Sequence, residues 1–436
     1  MKKEYFHSVR LDKDKCMGCT NCIKRCPTDA IRVQNGKAKI IDERCIDCGE
    51  CIRVCPYHAK IAYTDTLSLL NNYKYKIALP APAIYGQFKK VSTPSQVYEG
   101  LKMLGFDEVF DVAKGADIAA ASIAQKIGKA EKKPLISSAC PAILRLIQVR
   151  FPELIDNIVD TQSPMEIAAM VSKQQFAKKM GVDIGEIGAF FITPCPAKMT
   201  SVKAPMSMEK SNVDGAISIL DIYGILASQF KNIEKEEEEE EPPSALGIGW
   251  ATSGGEAKAV GVINCLAVDG IHNVIKAIEE IENGKLSDLD FFEGLACTGG
   301  CVGGPLVFEN SFVAKNKLRT LVDSIGTKVF NEKFVKEYAD QKVDFRKKIE
   351  PREVMKLDKD FRKAMMMMQQ IEELTKRLPG LDCGSCGSPS CRALAEDIVR
   401  GHANEMDCIF ILKEKVRYLA EEMVGLASKD ISNKEE

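Results

Sequence analysis

Apolar and polar positions along the chain follow two different rhythms. Residues 1–72 carry only short β-like runs, at Ala30–Val33, Lys39–Asp42 and Ile61–Tyr63, each beside a group of cysteines. From about Tyr73 the pattern becomes an alternation of strands and helices. Lys76–Leu79 reads as a strand, Ser95–Leu104 as a helix, Glu108–Val112 as a strand and Asp117–Gly128 as a helix. Pro134–Ser137 is a strand running into Cys140, followed by helices at Pro141–Phe151 and Ser163–Met180. Ile187–Thr193 is a buried strand running into Cys195. This alternation predicts an α/β fold whose parallel or mixed sheets are covered on both faces. Ligands of such sheets gather beyond the carboxyl ends of the strands, where Cys140 and Cys195 stand.

Further on, Ala245–Trp250 and Lys258–Ala267 read as strands, Val274–Glu282 as a helix and Leu289–Glu293 as a strand leading to Cys297. After a charged linker at Asp344–Pro351, Glu353–Arg377 has helical periodicity, and its Met365–Met368 run reads as core packing rather than a partner-facing stripe. In a terminal amphipathic helix, Ile409, Leu412, Val416, Leu419, Met423 and Leu426 recur at spacings of three and four. A dimerisation seam and a lid on its own domain both fit that stripe.

The 436 residues, 45% hydrophobic and 28% charged, form an ordinary globular composition. They divide into three expected domains, 1–72, 73–352 and 353–436. With 60 basic and 62 acidic residues, nothing in the charge calls for a nucleic acid or a membrane surface. The start, MKKEYFHSVRLDKDK, has no apolar core of a secretory signal, and no run is long enough to span a bilayer. The expected location is cytoplasmic. Glu236–Glu241 reads as a solvated loop rather than a docking tail, because like charges repel.

The seventeen cysteines change the picture most. Cys16, Cys19, Cys22 and Cys26-Pro27 follow a C-x2-C-x2-C-x3-C-P spacing that Cys45, Cys48, Cys51 and Cys55-Pro56 repeat. In such runs the fourth cysteine ligates the other cluster. Cys16, Cys19, Cys22 and Cys55 therefore form one 4Fe-4S set, and Cys45, Cys48, Cys51 and Cys26 a second. Zinc usually takes two spaced pairs instead. A small α+β domain of this kind has too little apolar core to fold without its metals. A later group, Cys383, Cys386, Cys391 and Cys408, is separated by glycines and fits another 4Fe-4S cluster, with a zinc ribbon as the alternative. Cys265 remains, in an apolar run, as a small buried hydrophobe. The histidines His7, His58, His272 and His402 share no spacing and are assigned to no metal.

Between these groups lie Ser137-Ser138-Ala139-Cys140-Pro141, Thr193-Pro194-Cys195-Pro196-Ala197-Lys198, and Glu293-Gly294-Leu295-Ala296-Cys297-Thr298-Gly299-Gly300-Cys301-Val302-Gly303-Gly304-Pro305. In this order they resemble the three H-cluster signatures of the [FeFe] hydrogenases, and the resemblance covers roughly residues 1–350. It implies a two-lobed hydrogenase domain, preceded by a ferredoxin-like domain and followed by a small, mostly helical Fe-S domain. It also implies that Cys140, Cys195, Cys297 and Cys301 hold a 4Fe-4S cluster, with Cys301 bridging to a diiron unit carrying CO, cyanide and a dithiolate. Lys198 matches the lysine that donates to a cyanide, and Pro82 and Ala83 match the segment against the diiron unit. Ser253-Gly254-Gly255 resembles a further pocket wall. The glycines around Cys301 let backbone approach an inorganic ligand.

The departures are equally informative. Where turnover enzymes of that family carry a proton-relaying cysteine, this chain has Ala139, whose methyl group has no exchangeable proton. Leu295, Ser201, Ala83 and the Ala119–Ser122 stretch also stand where the family has other groups, acidic pairs among them. With the C-terminal cysteines, this pattern resembles the sensory branch of the family. The expectation is four 4Fe-4S clusters, a diiron unit, slow reversible chemistry on H2 and protons, an electron partner such as ferredoxin, and a signalling partner. The alternatives are a metabolic ferredoxin-linked hydrogenase and a non-catalytic Fe-S scaffold.

Overall fold

A computed structural model describes residues 6–89, 93–231, 233, 243–326, 331–340 and 343–432. The acidic run Glu236–Glu241 lies outside the described residues. The chain divides into two compact units. One comprises Met1–Arg10, Ile46–Gly49 and Ile61–Arg352, and the other Leu11–Cys45, Glu50–Lys60 and Glu353–Glu436.

The larger unit is α/β. Strand Tyr75–Pro80 pairs in parallel with Glu108–Val109 on one side and Ile187–Thr193 on the other, with Gly215–Ser218 beyond. A second parallel sheet runs in the order Cys265–Asp269, Phe291–Leu295, Leu135–Ile136. All seven residues of Ile187–Thr193 are buried, as expected of a parallel strand covered on both faces. Ile77, Leu79 and Phe191 pack with Ile118, Ile167 and Val171 of the helices Val112–Ile127 and Pro164–Met180. Burial of each such side chain contributes roughly 1.5–3 kcal/mol. Asp111 starts the helix Val112–Ile127, its carboxylate accepting from the Ala113 N–H.

The smaller unit combines metal-site loops with helices. Strands Ile31–Gln34 and Lys37–Ile40 form an antiparallel hairpin. It turns on Asn35 and Gly36, both at positive φ (51° and 72°), the pairing that tight hairpins favour. Helices Phe361–Arg377, Cys391–Val399 and Ile409–Ser432 follow, and Ile371, Leu374, Leu378 and Leu394 gather around Cys408. Among the described residues no helix is long and apolar enough to cross a membrane.

Several sequence expectations need correction. Ala245–Trp250 is a helix rather than a strand (Ala245–Gly249), because Ser244 caps it by accepting from the Gly247 N–H at 2.8 Å. Lys258–Ala267 breaks into the end of helix Gly255–Val260 and the start of strand Cys265–Asp269. Glycines 254 and 261, both in the left-handed region, bracket that helix. The strand before Cys297 is Phe291–Leu295, two residues later than expected. The helix expected from Glu353 begins at Phe361, where Asp360 accepts from the Arg362 and Lys363 N–H groups. Met365, Met366 and Met368 are 44–59% exposed, so they do not pack the core. Cys265 is only half-buried, against the core of the larger unit.

Candidate metal centres

The three cysteine motifs of the larger unit meet at one cavity of about 90 Å3. Cys140, Cys195, Cys297 and Cys301 line it together with Pro82, Ala83, Ala139, Lys198, Trp250 and Glu256. Local structure explains the convergence. Cys140 and Cys195 are the cap residues of helices Pro141–Arg150 and Pro196–Lys203, each with proline at its first position. Both cysteines thus stand at helix N-termini, where the helix dipole favours negative charge. Cys297 follows the strand Phe291–Leu295, and Cys301 opens a single 3-10 turn. The glycines there are required by space. A Cβ on Gly304 would lie 2.2 Å from the Pro194 carbonyl oxygen, and one on Gly300, at φ 99°, would lie 2.7 Å from that of Ala251.

The electrostatics of two of the four thiols, Cys195 and Cys301, test whether an iron centre suits the site. Burial, followed by the neighbouring Cys297 and Cys140, pushes the Cys195 thiol up to about 12. Burial and the other three cysteines push Cys301 well above the ordinary thiol value. Thiols held protonated by burial and by one another become thiolates together only when a cationic centre binds. The donor set fits an iron cluster.

Lys198 is half-buried and donates to the Ala139 carbonyl oxygen at 3.1 Å. Its charge lowers the thiol values of Cys195 and Cys301. Sequence reasoning missed the cavity's carboxyl group. Glu256 is 2% exposed, accepts from Ser137 Oγ at 2.6 Å through Oε2, and has no partner for Oε1. Burial and the nearby Glu293 push Glu256 up to about 8, so it holds its proton at neutral pH. Glu293, itself fully buried, accepts from the N–H groups of Gly254 and Ala257. The available signal was a glutamate directly after Phe291-Phe292 within an apolar strand. Ser253-Gly254-Gly255 lines a neighbouring cavity of about 950 Å3 instead, with Ala120, Ala121 and Asp117. Asp117 there is pushed up to about 7 by burial.

The loop Ile46–Gly49, which carries Cys48, is anchored within the larger unit by Asp47. That carboxylate lies 2.9 Å from His7 Nδ1 and accepts from the Val9 N–H and from Thr200 Oγ1. Gly49 approaches Pro305 and Pro196 so closely that a Cβ would lie 2.4 Å from the Pro305 ring.

In the smaller unit Cys16, Cys19, Cys22 and Cys55 line one small cavity with Val33, Ala38 and Lys60. Backbone N–H groups point at the sulfurs: Ala38 to Cys16 Sγ at 3.4 Å, Ala59 to Cys55 Sγ at 3.3 Å and Ala30 to Cys26 Sγ at 3.2 Å. Donors so placed stabilise thiolate and suit a cluster. Cys386, Cys391 and Cys408 pack in one group, and Cys386 feels the charges of both Cys408 and Cys383.

Comparisons with known proteins agree in kind. The family model "Iron only hydrogenase large subunit, C-terminal domain" matches residues 74–305. A 4Fe-4S dicluster domain matches residues 8–56, and an Fe-S cluster model residues 378–410. The chain is 27% identical to Iron hydrogenase 1 of Clostridium pasteurianum over 68% of its own length and 64% of that protein, short of two thirds. It is 26% identical to the Periplasmic [Fe] hydrogenase large subunit of Nitratidesulfovibrio vulgaris, covering 72% of this chain and 90% of that one. It is also 19% identical to Cytosolic Fe-S cluster assembly factor NAR1 of Yarrowia lipolytica over 49% and 41% of the two chains. A solved variant of [FeFe]-hydrogenase HydA1 from Chlamydomonas reinhardtii shares the fold, with a TM-score of 0.52 and 17% identity over 66% of this chain and 98% of that one.

Proposed function

Because this chain belongs to the iron-only hydrogenase large-subunit family, we propose that it binds an H-cluster, turns over H2 slowly and reports hydrogen or redox state. The observation that supports this most is the convergence of Cys140, Cys195, Cys297, Cys301 and Lys198 on one cavity whose proton-relay position is Ala139.

In this reading Cys140, Cys195, Cys297 and Cys301 would hold the cubane part of the H-cluster, and Cys301 would also hold its diiron part. When bound, the H-cluster supplies the redox-active iron at which H2 is split or formed. The residues supply the rest. Lys198 Nζ, already oriented by the Ala139 carbonyl, has donors left for an anionic ligand. Pro82, Ala83, Met165, Phe191 and Trp250 give the cavity an apolar wall that excludes water. Ala139 offers no proton, so Glu256 is the one titratable acid other than the thiols among the described lining residues. Glu256 holds a proton at its carboxyl, with Oε1 free to present it and Oε2 fixed by Ser137. A single buried acid, in place of a relay cysteine and an acidic chain, fits low turnover.

The two ferredoxin-type sets, Cys16/Cys19/Cys22/Cys55 and Cys45/Cys48/Cys51/Cys26, and the C-terminal Cys383/Cys386/Cys391/Cys408 set bring the total to four cubanes. The seating of the Ile46–Gly49 loop on Pro196 and Pro305 supports electron exchange between Cys48 and the H-cluster site. The partners of this reading are H2 and protons, a ferredoxin-like electron carrier and a signalling protein in the cytoplasm, with module boundaries near residues 72 and 352. The terminal helix supports a homodimer. Its stripe from Ile409 to Leu426 alternates Ile409, Val416 and Met423 with Leu412, Leu419 and Leu426, each 42–71% exposed, so it lids nothing among the described residues. β-Branched Ile409 and Val416, with Met423 at the third such position, alternate with leucine at this heptad spacing, a pattern that suits a two-stranded parallel coiled coil.

The likeness to NAR1 and the missing relay favour one second reading, an Fe-S scaffold without the diiron unit. Protein matured with the diiron cofactor separates the two. Slow H2-dependent dye reduction that is absent in Cys301→Ala supports the hydrogenase reading. No H2 uptake leaves the scaffold.

A further inference from the structure

The smaller unit joins an early and a late stretch of sequence through pairs 352 and 365 positions apart, and the joint lies at the wall of a cluster site. Arg32 follows Ile31 in the hairpin, and its guanidinium grips Asp397 with both arms, Nε to Oδ2 at 2.5 Å and Nη2 to Oδ1 at 3.1 Å. Both side chains are at most 12% exposed. Ser388 Oγ, from the C-terminal cysteine loop, donates to the same carboxylate at 2.9 Å. A second pair, Arg44 with Glu396 at 2.5 Å, joins the same two stretches, and Arg400 donates to the same Glu396 oxygen. These contacts hold Glu396 below the usual carboxylate range despite its burial. Paired, bidentate and largely dry contacts fix one geometry, which solvated surface pairs do not.

What the joint brings close is the cysteine loop itself. The Val33 N–H donates to the Gly387 carbonyl oxygen at 2.8 Å, as an added strand would. Gly387 lies at φ 84°, and a Cβ there would sit 1.8 Å from the Val33 carbonyl oxygen, so only glycine allows the approach. Gly384 rests against Ile23 and Lys24, directly after Cys22. The charge of Lys24 reaches Cys383, whose thiol lies below its ordinary value chiefly because Ser385 donates to it. Val33 also lines the cavity of Cys16, Cys19, Cys22 and Cys55. A single residue, Val33, therefore touches both the C-terminal cysteine loop and that cavity.

We propose that the C-terminal cluster and the Cys16/Cys19/Cys22/Cys55 cluster are adjacent electron-transfer partners, joined through Val33 and Gly387. This rests on the cubane assignments given above. One electron leaves one cubane as the other takes it up, with no bond made or broken and no proton moved. The C-terminal cluster is then an electron port of the ferredoxin-like domain rather than a structural staple.

The test is low-temperature electron paramagnetic resonance on the full, reconstituted chain, reduced until its visible absorption has bleached. The expected spectrum shows spin–spin splitting between neighbouring reduced cubanes that disappears in Cys391→Ser, with loss of about four irons per chain. Gly387→Leu, which drives the loop from Val33, and Arg32→Gln, which removes the bidentate grip, are expected to keep wild-type iron content and lose that splitting. A wild-type spectrum equal to that of Cys391→Ser plus an isolated cubane signal overturns the adjacency and leaves the clusters standing. Iron content unchanged by Cys391→Ser overturns the cluster assignment itself.

Discussion

Glu256→Gln isolates the part of the site that the cysteine motifs do not announce. The substitution preserves side-chain volume and an oxygen for Ser137 Oγ, and removes only the acidic proton. Burial, with the neighbouring Glu293, opposes ionisation of Glu256 and holds its carboxyl well above the usual range, so it keeps a proton at the cavity wall. If that proton serves the chemistry, its loss slows H2-linked turnover by roughly 10²-fold or more. The sign with pH follows. Proton reduction should fall as pH rises through about 8 in the wild type, where Glu256 loses its proton, and that inflection should vanish in the variant. The assay is H2 evolution from a reduced viologen between pH 6 and 9, on protein whose iron content and metal-bound CO and cyanide bands match the wild type. Turnover within about twofold of wild type, with the same pH profile, would refute the role of Glu256.

Three other outcomes are expected. Ala139→Cys restores a titratable group to the cavity wall and should raise turnover by roughly 10²-fold, read in the same viologen assay. Folding stability should also register Glu256. The folded chain keeps a proton that the unfolded chain releases above pH 4.5, so this contribution is intact below 4.5 and erodes as pH rises toward about 8. The slope is about 1.4 kcal/mol per pH unit, and Glu256→Gln, which lacks it, should gain in Tm over the wild type between pH 5 and 8. Leu419→Lys places a charge in the exposed heptad stripe and should convert a dimer to a monomer in analytical ultracentrifugation, with iron content unchanged.

The cysteines that gather at the two cavities were legible from a spacing typical of metal ligands: thiols near one another in sequence, glycines where backbone must come close, and strand ends where ligands gather. Strand Ile187–Thr193 was readable for a similar reason, since a strand buried on both faces is apolar throughout. Helix Ala245–Gly249 was not, because its existence depends on a cap at Ser244 that also donates to the distant Asp117. The Met365–Met368 run misled because methionine serves exposed and buried surfaces alike. Glu256 escaped notice because its meaning is tertiary. Nothing local marks Glu256, and only the fold brings it to Ser137 and to the cysteine cavity. The Arg32–Asp397 pair lies beyond any local pattern, its members 365 positions apart.

The central claim is that Cys140, Cys195, Cys297 and Cys301 hold an H-cluster beside a proton-poor Ala139. Infrared spectroscopy of the matured protein under argon and then under H2 tests it most directly. The account predicts bands of metal-bound CO and cyanide that shift slowly when H2 replaces argon, and that are lost in Cys301→Ala. Matured protein with a full complement of iron and no such bands would contradict it.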